Sequence, residues 1–199
     1  PNYENVRAFQ LADFDSDGLL DFVIMSTANA STPPIITSLD FYKGQGNGNF
    51  TLAQTSYASG FHYDFEVADL NGNGSIDIFL LNEESKILTN NSTGLFTEHS
   101  TLTLEGSPYE VRLADLNGDG LPDIVTRYEF STRSISIKLG LGNFLFDASV
   151  DYENGNTPKA FAIGDLNLDG RLDIVTKDSY SLSVYYGDAL DTFHETELA

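Results

Sequence analysis

The chain has 199 residues, of which 41% are apolar, so it is long enough to bury one sizeable core or to build one repeat array. Its 30 acidic residues outnumber the 10 basic ones and leave a formal charge of −20, which argues against nucleic acid as a partner because phosphate binding needs a basic surface. It contains no cysteine, so no disulfide holds the fold, and no apolar run approaches the roughly 18–20 residues of a transmembrane segment.

Four acidic loops of nine residues recur along the chain. They begin at Asp13, Asp69, Asp115 and Asp165, and each has oxygen-bearing side chains at positions 1, 3, 5 and 9 with glycine at position 6. Alternate side chains of a tightly curled loop can converge on one point, and Ca²⁺ takes roughly six to eight oxygen ligands. Glycine at position 6 allows the positive φ that such a reversal needs. The residue at position 7 varies freely, as expected if only its carbonyl oxygen binds the ion.

The loops therefore predict four Ca²⁺ sites, with ligands from positions 1, 3, 5, 7 and 9. The predicted ligands are Asp13, Asp15, Asp17, Leu19 and Asp21 in the first loop, Asp69, Asn71, Asn73, Ser75 and Asp77 in the second, Asp115, Asn117, Asp119, Leu121 and Asp123 in the third, and Asp165, Asn167, Asp169, Arg171 and Asp173 in the fourth. An EF-hand loop would differ, because it needs a bidentate glutamate at position 12 and a helix on each side. Position 12 carries no carboxylate here; it is Ile24, Leu80, Thr126 or Thr176.

The segments that flank the loops have the composition of β-strands. Residues 108–114 alternate between apolar and polar side chains, and β-branched residues follow the third and fourth loops at 124–126 and 174–176. Each loop is therefore predicted to be the tip of a β-hairpin. A turn followed by phenylalanine ends the third strand of each repeat, as at 44–50 and 140–144. In the third repeat the four predicted strands span about 108–116, 122–128, 133–140 and 144–152.

The spacing of the loops reveals the repeat. Their first residues are 56, 46 and 50 positions apart, and a period near 50 is typical of propellers and solenoids. Four strands joined by glycine-rich hairpins are the sequence form of one propeller blade. The sequence predicts an all-β fold with a single β-propeller domain over residues 1–199, built from four four-stranded blades. The predicted repeats span about 1–59, 60–105, 106–153 and 154–199.

At this point the chain resembles a known family. The stretch Ala-Asp-Leu-Asn-Gly-Asp-Gly-Leu-Pro-Asp-Ile-Val at 114–125 is similar to FG-GAP and VCBS repeats, which build the β-propeller of integrin α subunits and of many bacterial secreted proteins. The resemblance covers all four repeats and implies that each acidic loop joins the first two strands of a blade and holds Ca²⁺, about four ions in all. Leu168 departs from the small residue usual at its position, and Gly164 stands where the other repeats have alanine, but neither change removes a ligand.

The number of blades is left open by the sequence. Similar propellers usually have seven blades, although the architecture spans about four to eight. Four repeats could close as a small propeller or belong to a larger one with further blades in the parent chain. Two chains could also pair as a homo-oligomer.

Function is expected from calcium chemistry and from the resemblance together. Millimolar calcium outside cells suits sites of weak to moderate affinity, so an extracellular or cell-surface location is expected. The resemblance implies a secreted, lectin-like or cell-adhesion module that recognises a glycan or protein on the face opposite the calcium loops. That face would carry residues 60–63, 106–109, 128–130 and 154–158 and the insertion near 27–37. Exposed aromatic side chains beside polar loops suit sugars or proteins, although Tyr63 and Tyr109 could equally pack between blades.

No catalytic residue is assigned. The three histidines, His62, His99 and His194, have no zinc-ligand spacing, and neither a nucleophile elbow nor a cysteine nucleophile is present. The glycines at 44–48 join two strands, whereas a phosphate-binding loop must open a helix. The expected function is therefore non-catalytic. The alternatives are a polysaccharide lyase or hydrolase on a propeller scaffold, and a structural subunit of a surface assembly that pairs through blade edges.

Overall fold

The computed structural model describes residues 5–28, 35–128, 133–153, 157–188 and 192–198. Within these ranges the regular structure consists of 18 β-strands, all paired antiparallel, and includes no helix. The prediction of an all-β fold is confirmed. Among the described residues no helix is therefore long and apolar enough to cross a membrane.

The chain divides into two compact units, Pro1–Leu104 and Glu105–Ala199. The first unit holds two four-stranded sheets whose strands pair in chain order. Sheet 1 contains β1 (Val6–Ala12), β2 (Asp21–Ala28), β3 (Ile36–Gly44) and β4 (Phe50–Ser59). Sheet 2 contains β5 (Asp64–Ala68), β6 (Asp77–Leu81), β7 (Glu84–Asn90) and β8 (Phe96–Thr103).

The second unit also holds two four-stranded sheets and has one small additional hairpin. Sheet 3 contains β9 (Pro108–Ala114), β10 (Asp123–Tyr128), β11 (Arg133–Lys138) and β14 (Val150–Glu153). The hairpin consists of β12 (Gly140–Gly142) and β13 (Leu145–Phe146). Sheet 4 contains β15 (Ala160–Gly164), β16 (Asp173–Lys177), β17 (Leu182–Gly187) and β18 (Phe193–Leu198). A single domain with four repeats, and its closure as a propeller, stay predictions.

One predicted strand differs in the structure. The fourth strand of the third repeat was expected over about 144–152, but β14 begins only at Val150. Three consecutive residues, Gly142, Asn143 and Phe144, have positive φ of 73°, 50° and 63°. Three successive left-handed residues reverse the direction of the chain, so it turns there and forms the β12–β13 hairpin first.

Each unit buries its core between its two sheets, in the same arrangement. We call face A of a sheet the side that carries the residues two and four positions before its acidic loop, and face B the opposite side. In the first unit, face B of sheet 1 packs against face A of sheet 2. In the second unit, face B of sheet 3 packs against face A of sheet 4. The core residues of face B are Val23, Met25, Leu39 and Phe41 in sheet 1 and Val125, Ile135 and Ile137 in sheet 3.

Candidate metal centres

Each acidic loop joins the first and second strands of its sheet. The four loops lie between β1 and β2, β5 and β6, β9 and β10, and β15 and β16. Glycine at position 6 has a φ between 85° and 88° in every loop, at Gly18, Gly74, Gly120 and Gly170. The left-handed backbone expected at this position is therefore present. Position 4 is left-handed as well, and Ser16 and Leu168 adopt it at φ of 60° and 61° although both have a Cβ.

The side chains at positions 1 and 5 hold each loop in its curl. In the first loop, Asp13 accepts hydrogen bonds from the backbone N–H groups of Asp17 at 3.1 Å and Gly18 at 2.8 Å. Asp17 in turn accepts one from the N–H of Leu19 at 2.9 Å. The same bonds recur in the other three loops. The carboxylates at position 1 are thus anchored by backbone donors of their own loop, which is a local consequence of the nine-residue pattern.

The aspartate at position 9 has a structural role that the sequence did not suggest. Asp21 is fully buried, and its two carboxylate oxygens accept hydrogen bonds from the N–H of Phe14 at 2.9 Å and of Gly44 at 2.8 Å. Asp77, Asp123 and Asp173 repeat this geometry with the residue at position 2 of their loop and with a second N–H, that of Asn90 at the end of β7, Gly140 at the start of β12 or Gly187 at the end of β17. Position 9 therefore ties the acidic loop to the end of the third strand or, in the third repeat, to the β12–β13 hairpin that follows it.

Close approach explains the glycine at, or just after, the end of the third strand. A Cβ added to Gly44, Gly140 or Gly187 would collide with the backbone carbonyl of Leu20, Pro122 or Leu172, the residue at position 8 of the loop. The sequence carried a signal for this contact, because these glycines begin the turns that mark the end of each predicted third strand.

Sheet 2 has Asn90 instead of glycine at the end of its third strand, and the asparagine makes a cross-sheet contact. Its backbone N–H still donates to Asp77, at 2.9 Å, while its side-chain amide donates to the carbonyl oxygens of Phe14 at 2.6 Å and Ile76 at 3.1 Å. Asn90 therefore links the first loop to the second within the first unit.

The first loop concentrates the most charge. Oxygens of the Asp13, Asp15 and Asp21 carboxylates all lie within 4.8 Å of one another. Among the described residues no other group of three acidic, histidine or cysteine side chains is gathered in this way. The Asp15 side chain is only 8% exposed, and its buried Oδ1 has no hydrogen-bond partner in the described parts of the chain. An unsatisfied buried carboxylate oxygen is costly unless a cation meets it.

A lysine that sequence reasoning missed lies beside this group. The Lys43 ammonium, at the end of β3, pairs with Oδ2 of Asp15 and lies 3.0 Å from Oδ2 of Asp17. These two carboxylates raise the pKa of Lys43 above its ordinary value. The Leu19 N–H and then Lys43 lower the pKa of Asp17. The sequence carried one signal for Lys43, because this lysine directly precedes Gly44, the glycine that contacts the first loop.

Burial dominates the electrostatics of the carboxylates at position 9. Burial raises the pKa of Asp21, Asp77 and Asp123 above the ordinary aspartate value, and the backbone N–H donors only partly offset that effect. Their charged forms are therefore destabilised in the fold, and nearby positive charge would restore them. The donor set of each loop contains oxygen only, which fits a hard divalent cation such as Ca²⁺.

The residue at position 3 is an asparagine in the last three loops and an aspartate in the first. Asn117 and Asn167 donate from their side chains to the carboxylates of Asp119 and Asp169, at 3.1 and 2.9 Å. Asn71 donates to Asp77 at 3.3 Å. An amide neutralises part of the repulsion that carboxylates alone would create.

The third and fourth loops lie side by side, and together they line an open polar cleft in the second unit.

The predicted ligand-binding residues are only partly described. In the first unit, the Phe61 and Tyr63 rings meet edge to face at 5.0 Å, and His62 is buried with Nδ1 2.9 Å from Oγ1 of Thr37. In the second unit, the Arg127 guanidinium lies 4.8 Å from the Tyr109 ring centre. Both tyrosines therefore pack within their own unit while remaining partly exposed. Residues 29–34, 129–130 and 154–156 of the predicted face lie outside the described residues.

The geometry defines an all-β protein made of repeated four-stranded sheets, each with an acidic loop between its first two strands. A family model described as FG-GAP-like repeat matches three overlapping segments, residues 13–80, 69–126 and 115–176. Each match runs from position 1 of one acidic loop to position 12 of the next. The matches span most of the chain, which belongs to the FG-GAP repeat family, as the stretch at 114–125 predicted. These repeats suggest an integrin-like β-propeller type of module. A comparison with curated proteins gave no match.

Proposed function

We propose that this chain is a calcium-stabilised module of the β-propeller type that recognises a glycan or protein ligand outside the cell, as in adhesion, and that it is not an enzyme. The observation that carries the calcium proposal is the first loop. There, three carboxylates converge and one buried oxygen, Asp15 Oδ1, has no partner in the described chain. The other three loops support it because they repeat the same backbone curl and the same buried aspartate at position 9.

The chain's own residues prepare each loop for the ion. Position 1 is oriented by backbone donors, and position 9 is anchored to the third strand, so the ligands are held before any cation arrives. Bound Ca²⁺ would supply two positive charges to a loop whose carboxylates repel one another, and its binding energy would add to the stability of the fold. The ion's proposed role is therefore structural. Four ions would reduce the formal charge from −20 to about −12.

Thermal unfolding in calcium and in EDTA tests the proposal. One site saturated at a hundred times its dissociation constant adds about 2.7 kcal/mol of stability. For a chain of this length, that corresponds to a rise in Tm of roughly 5–10 °C per site. Magnesium at equal ionic strength is the matched control, because it demands a smaller octahedral site and should raise Tm less. Identical melting curves in calcium and EDTA would contradict structural calcium.

Ligand recognition and the absence of catalysis need a separate assay. We propose saturable binding on a glycan or extracellular-protein array, since the partly exposed Tyr63 and Tyr109 offer flat apolar area with a polar hydroxyl. We propose an extracellular or cell-surface location, because loops of this kind suit the millimolar calcium concentration found there. Turnover of acidic polysaccharides would instead support the alternative of a lyase or hydrolase.

A further inference from the structure

Asparagine is followed by glycine at five places in the chain. One pair, Asn47–Gly48, lies in the turn between β3 and β4, and three pairs lie in the second and third acidic loops, at 71–72, 73–74 and 117–118. The fifth pair, at 154–155, lies outside the described residues. The carboxamide of an asparagine can be attacked by the backbone nitrogen of the next residue, and glycine hinders this attack least because it has no Cβ. The four described pairs share this chemistry, so the fold decides which of them reacts.

The carboxamide is prepared for attack in the same way in all four pairs. In each, the side-chain Oδ1 of the asparagine accepts a hydrogen bond from the backbone N–H two residues further on. The distances are 3.0 Å for Asn47, 2.8 Å for Asn71, 2.7 Å for Asn73 and 3.0 Å for Asn117. This bond folds the side chain back over its own backbone, and it would stabilise the negative charge that develops on Oδ1 when Cγ is attacked. The electrophile therefore does not distinguish the pairs.

The attacking nitrogen does distinguish them. In the acidic loops its N–H is donated to the carboxylate at position 1, from Gly72 and Gly74 to Asp69 at 2.8 and 2.7 Å and from Gly118 to Asp115 at 2.7 Å. An amide nitrogen attacks only after it has lost its proton. A carboxylate that accepts the N–H stabilises the protonated form and repels the amide anion. The three glycine nitrogens in the loops are therefore held in their unreactive form.

The nitrogen of Gly48 has no such acceptor. Its N–H makes no hydrogen bond to any part of the chain that the structure describes. Asn47 and Gly48 are both exposed, and a Cβ built on Gly48 would meet no atom within 4 Å. Solvent can therefore reach this nitrogen and remove its proton.

We propose that Asn47 is a site of spontaneous deamidation and that the fold protects Asn71, Asn73 and Asn117. Solvent takes the proton from the Gly48 nitrogen, which then forms a bond to Cγ of Asn47. The bond from Cγ to Nδ2 breaks, and the leaving nitrogen takes up a proton and departs as ammonia. Water then opens the cyclic imide at one of its two carbonyl carbons and leaves either aspartate or isoaspartate. One water is consumed and one ammonia is released, and a carboxamide becomes a carboxylate.

The modification changes a turn that touches the first acidic loop. A Cβ built on Gly46, the residue before Asn47, would lie 3.2 Å from Cδ2 of Leu19, which occupies position 7 of that loop. Aspartate adds one negative charge there. Isoaspartate also adds one carbon to the main chain, which should break the bond from the Gln45 N–H to the Asn49 carbonyl at 3.0 Å. The inference does not depend on bound calcium, because the chain itself supplies every contact that separates the four pairs.

Mass spectrometry of the aged protein tests the inference. The folded chain, checked by circular dichroism, is incubated at mildly alkaline pH and digested, and fragmentation assigns each change in mass from amide to acid to one asparagine. Asn47 should deamidate at least about tenfold faster than the three loop asparagines, because a rise of one unit in the pKa of the attacking amide lowers its reactive fraction by that factor. Asn47→Ser should abolish the main product. Equal rates at all four asparagines of the folded chain, or no conversion of Asn47, would overturn the proposal.

Unfolding removes the protection and so tests its cause. In concentrated urea the backbone bonds to Asp69 and Asp115 are lost, and all four pairs should deamidate at similar rates. If Asn47 still reacted faster than the others in urea, the local sequence and not the fold would be the source of the selectivity, and the proposal would be wrong.

A matched pair of variants tests the protecting carboxylate. Asp115→Ala removes the acceptor of the Gly118 N–H, so deamidation at Asn117 should accelerate several-fold. Asp165→Ala makes the same change in the fourth loop, where Leu168 follows Asn167 and its side chain hinders the attack, so Asn167 should stay intact. An unchanged rate at Asn117 in the Asp115→Ala variant would show that the carboxylate does not protect this asparagine, and would overturn the proposal.

Discussion

The first and second acidic loops share one backbone but neutralise their charge in different ways. The first has four carboxylates, and Lys43 pairs with two of them. The second has two carboxylates, and Asn71 donates an amide hydrogen bond to Asp77. The curl itself needs only the backbone bonds to position 1, which both loops have. The loop shape is therefore encoded locally, whereas the charge repulsion that a cation would relieve depends on how many carboxylates crowd the loop.

The largest expected effect concerns position 9, which the two loops share. Asp21→Ala or Asp77→Ala would leave two buried N–H groups without an acceptor, and each variant should lose roughly 2–5 kcal/mol of unfolding free energy in calcium-free buffer. Urea unfolding measures the loss. Glu84→Ala, which removes an exposed carboxylate from β7, is the control and should stay within about 0.5 kcal/mol of the wild type.

Calcium titration of the same two variants ranks the loops. Ligand charge helps to set calcium affinity, so the first loop should bind more tightly than the second. Isothermal titration should therefore show that Asp21→Ala removes a tighter site than Asp77→Ala does. The reverse order would show that the two amides of the second loop serve the ion better than the extra carboxylates of the first.

Acid should lower the stability of the first unit through His62. This loss is the background against which any effect of the loop carboxylates has to be measured. Burial lowers the pKa of His62 to about 4, and this residue lies just before β5, whereas the second loop follows that strand. The folded state then binds fewer protons than the unfolded state, so stability is complete above about pH 6.5 and is lost as the pH falls toward 4. Between pH 7 and 4.5 the loss should reach roughly 2–3 kcal/mol.

Urea unfolding at both pH values checks the size of this background. His62→Gln should flatten that part of the pH dependence, whereas His99→Gln, at an exposed position on β8, should not. If His62→Gln and the wild type lose the same stability in acid, burial of the imidazole is not the cause. The buried aspartates at position 9 would not be the source either, because their raised pKa makes the folded state bind more protons than the unfolded state in acid.

The smallest expected effect concerns Lys43, the internal cation of the first loop. Lys43→Met removes an ammonium that competes for Asp15 and Asp17, so calcium affinity at the first loop should rise several-fold, and the gap to the second loop should widen. Lys86→Met is the matched control, because Lys86 pairs with Glu98 across β7 and β8. A lower calcium affinity in Lys43→Met would mean that the lysine helps to position the ligands.

The contacts of the loops show where sequence reasoning reached its limit. The bond from Leu19 to Asp17 joins residues two positions apart, so the nine-residue pattern alone predicts it. Lys43 and Asp15 are 28 positions apart, and Asn90 and Phe14 are 76 apart. No pattern within one repeat contains such pairs, because they form only when the third strand, or the next sheet, folds against the loop. The β12–β13 hairpin was missed for a local reason, since the two non-glycine residues Asn143 and Phe144 adopt positive φ there.

The sequence by itself determined the all-β class, the family, the period of the repeat and the acidic loops, because these depend on residue types at short, regular spacing. Tertiary structure alone decided that Asp21 is a buried anchor as well as a candidate ligand, and that Lys43 lies among the carboxylates. It also decided that Phe65 is buried while Phe9 is exposed. Identical residues at identical repeat positions differ there because burial depends on the neighbouring sheet, which the strand's own sequence does not encode.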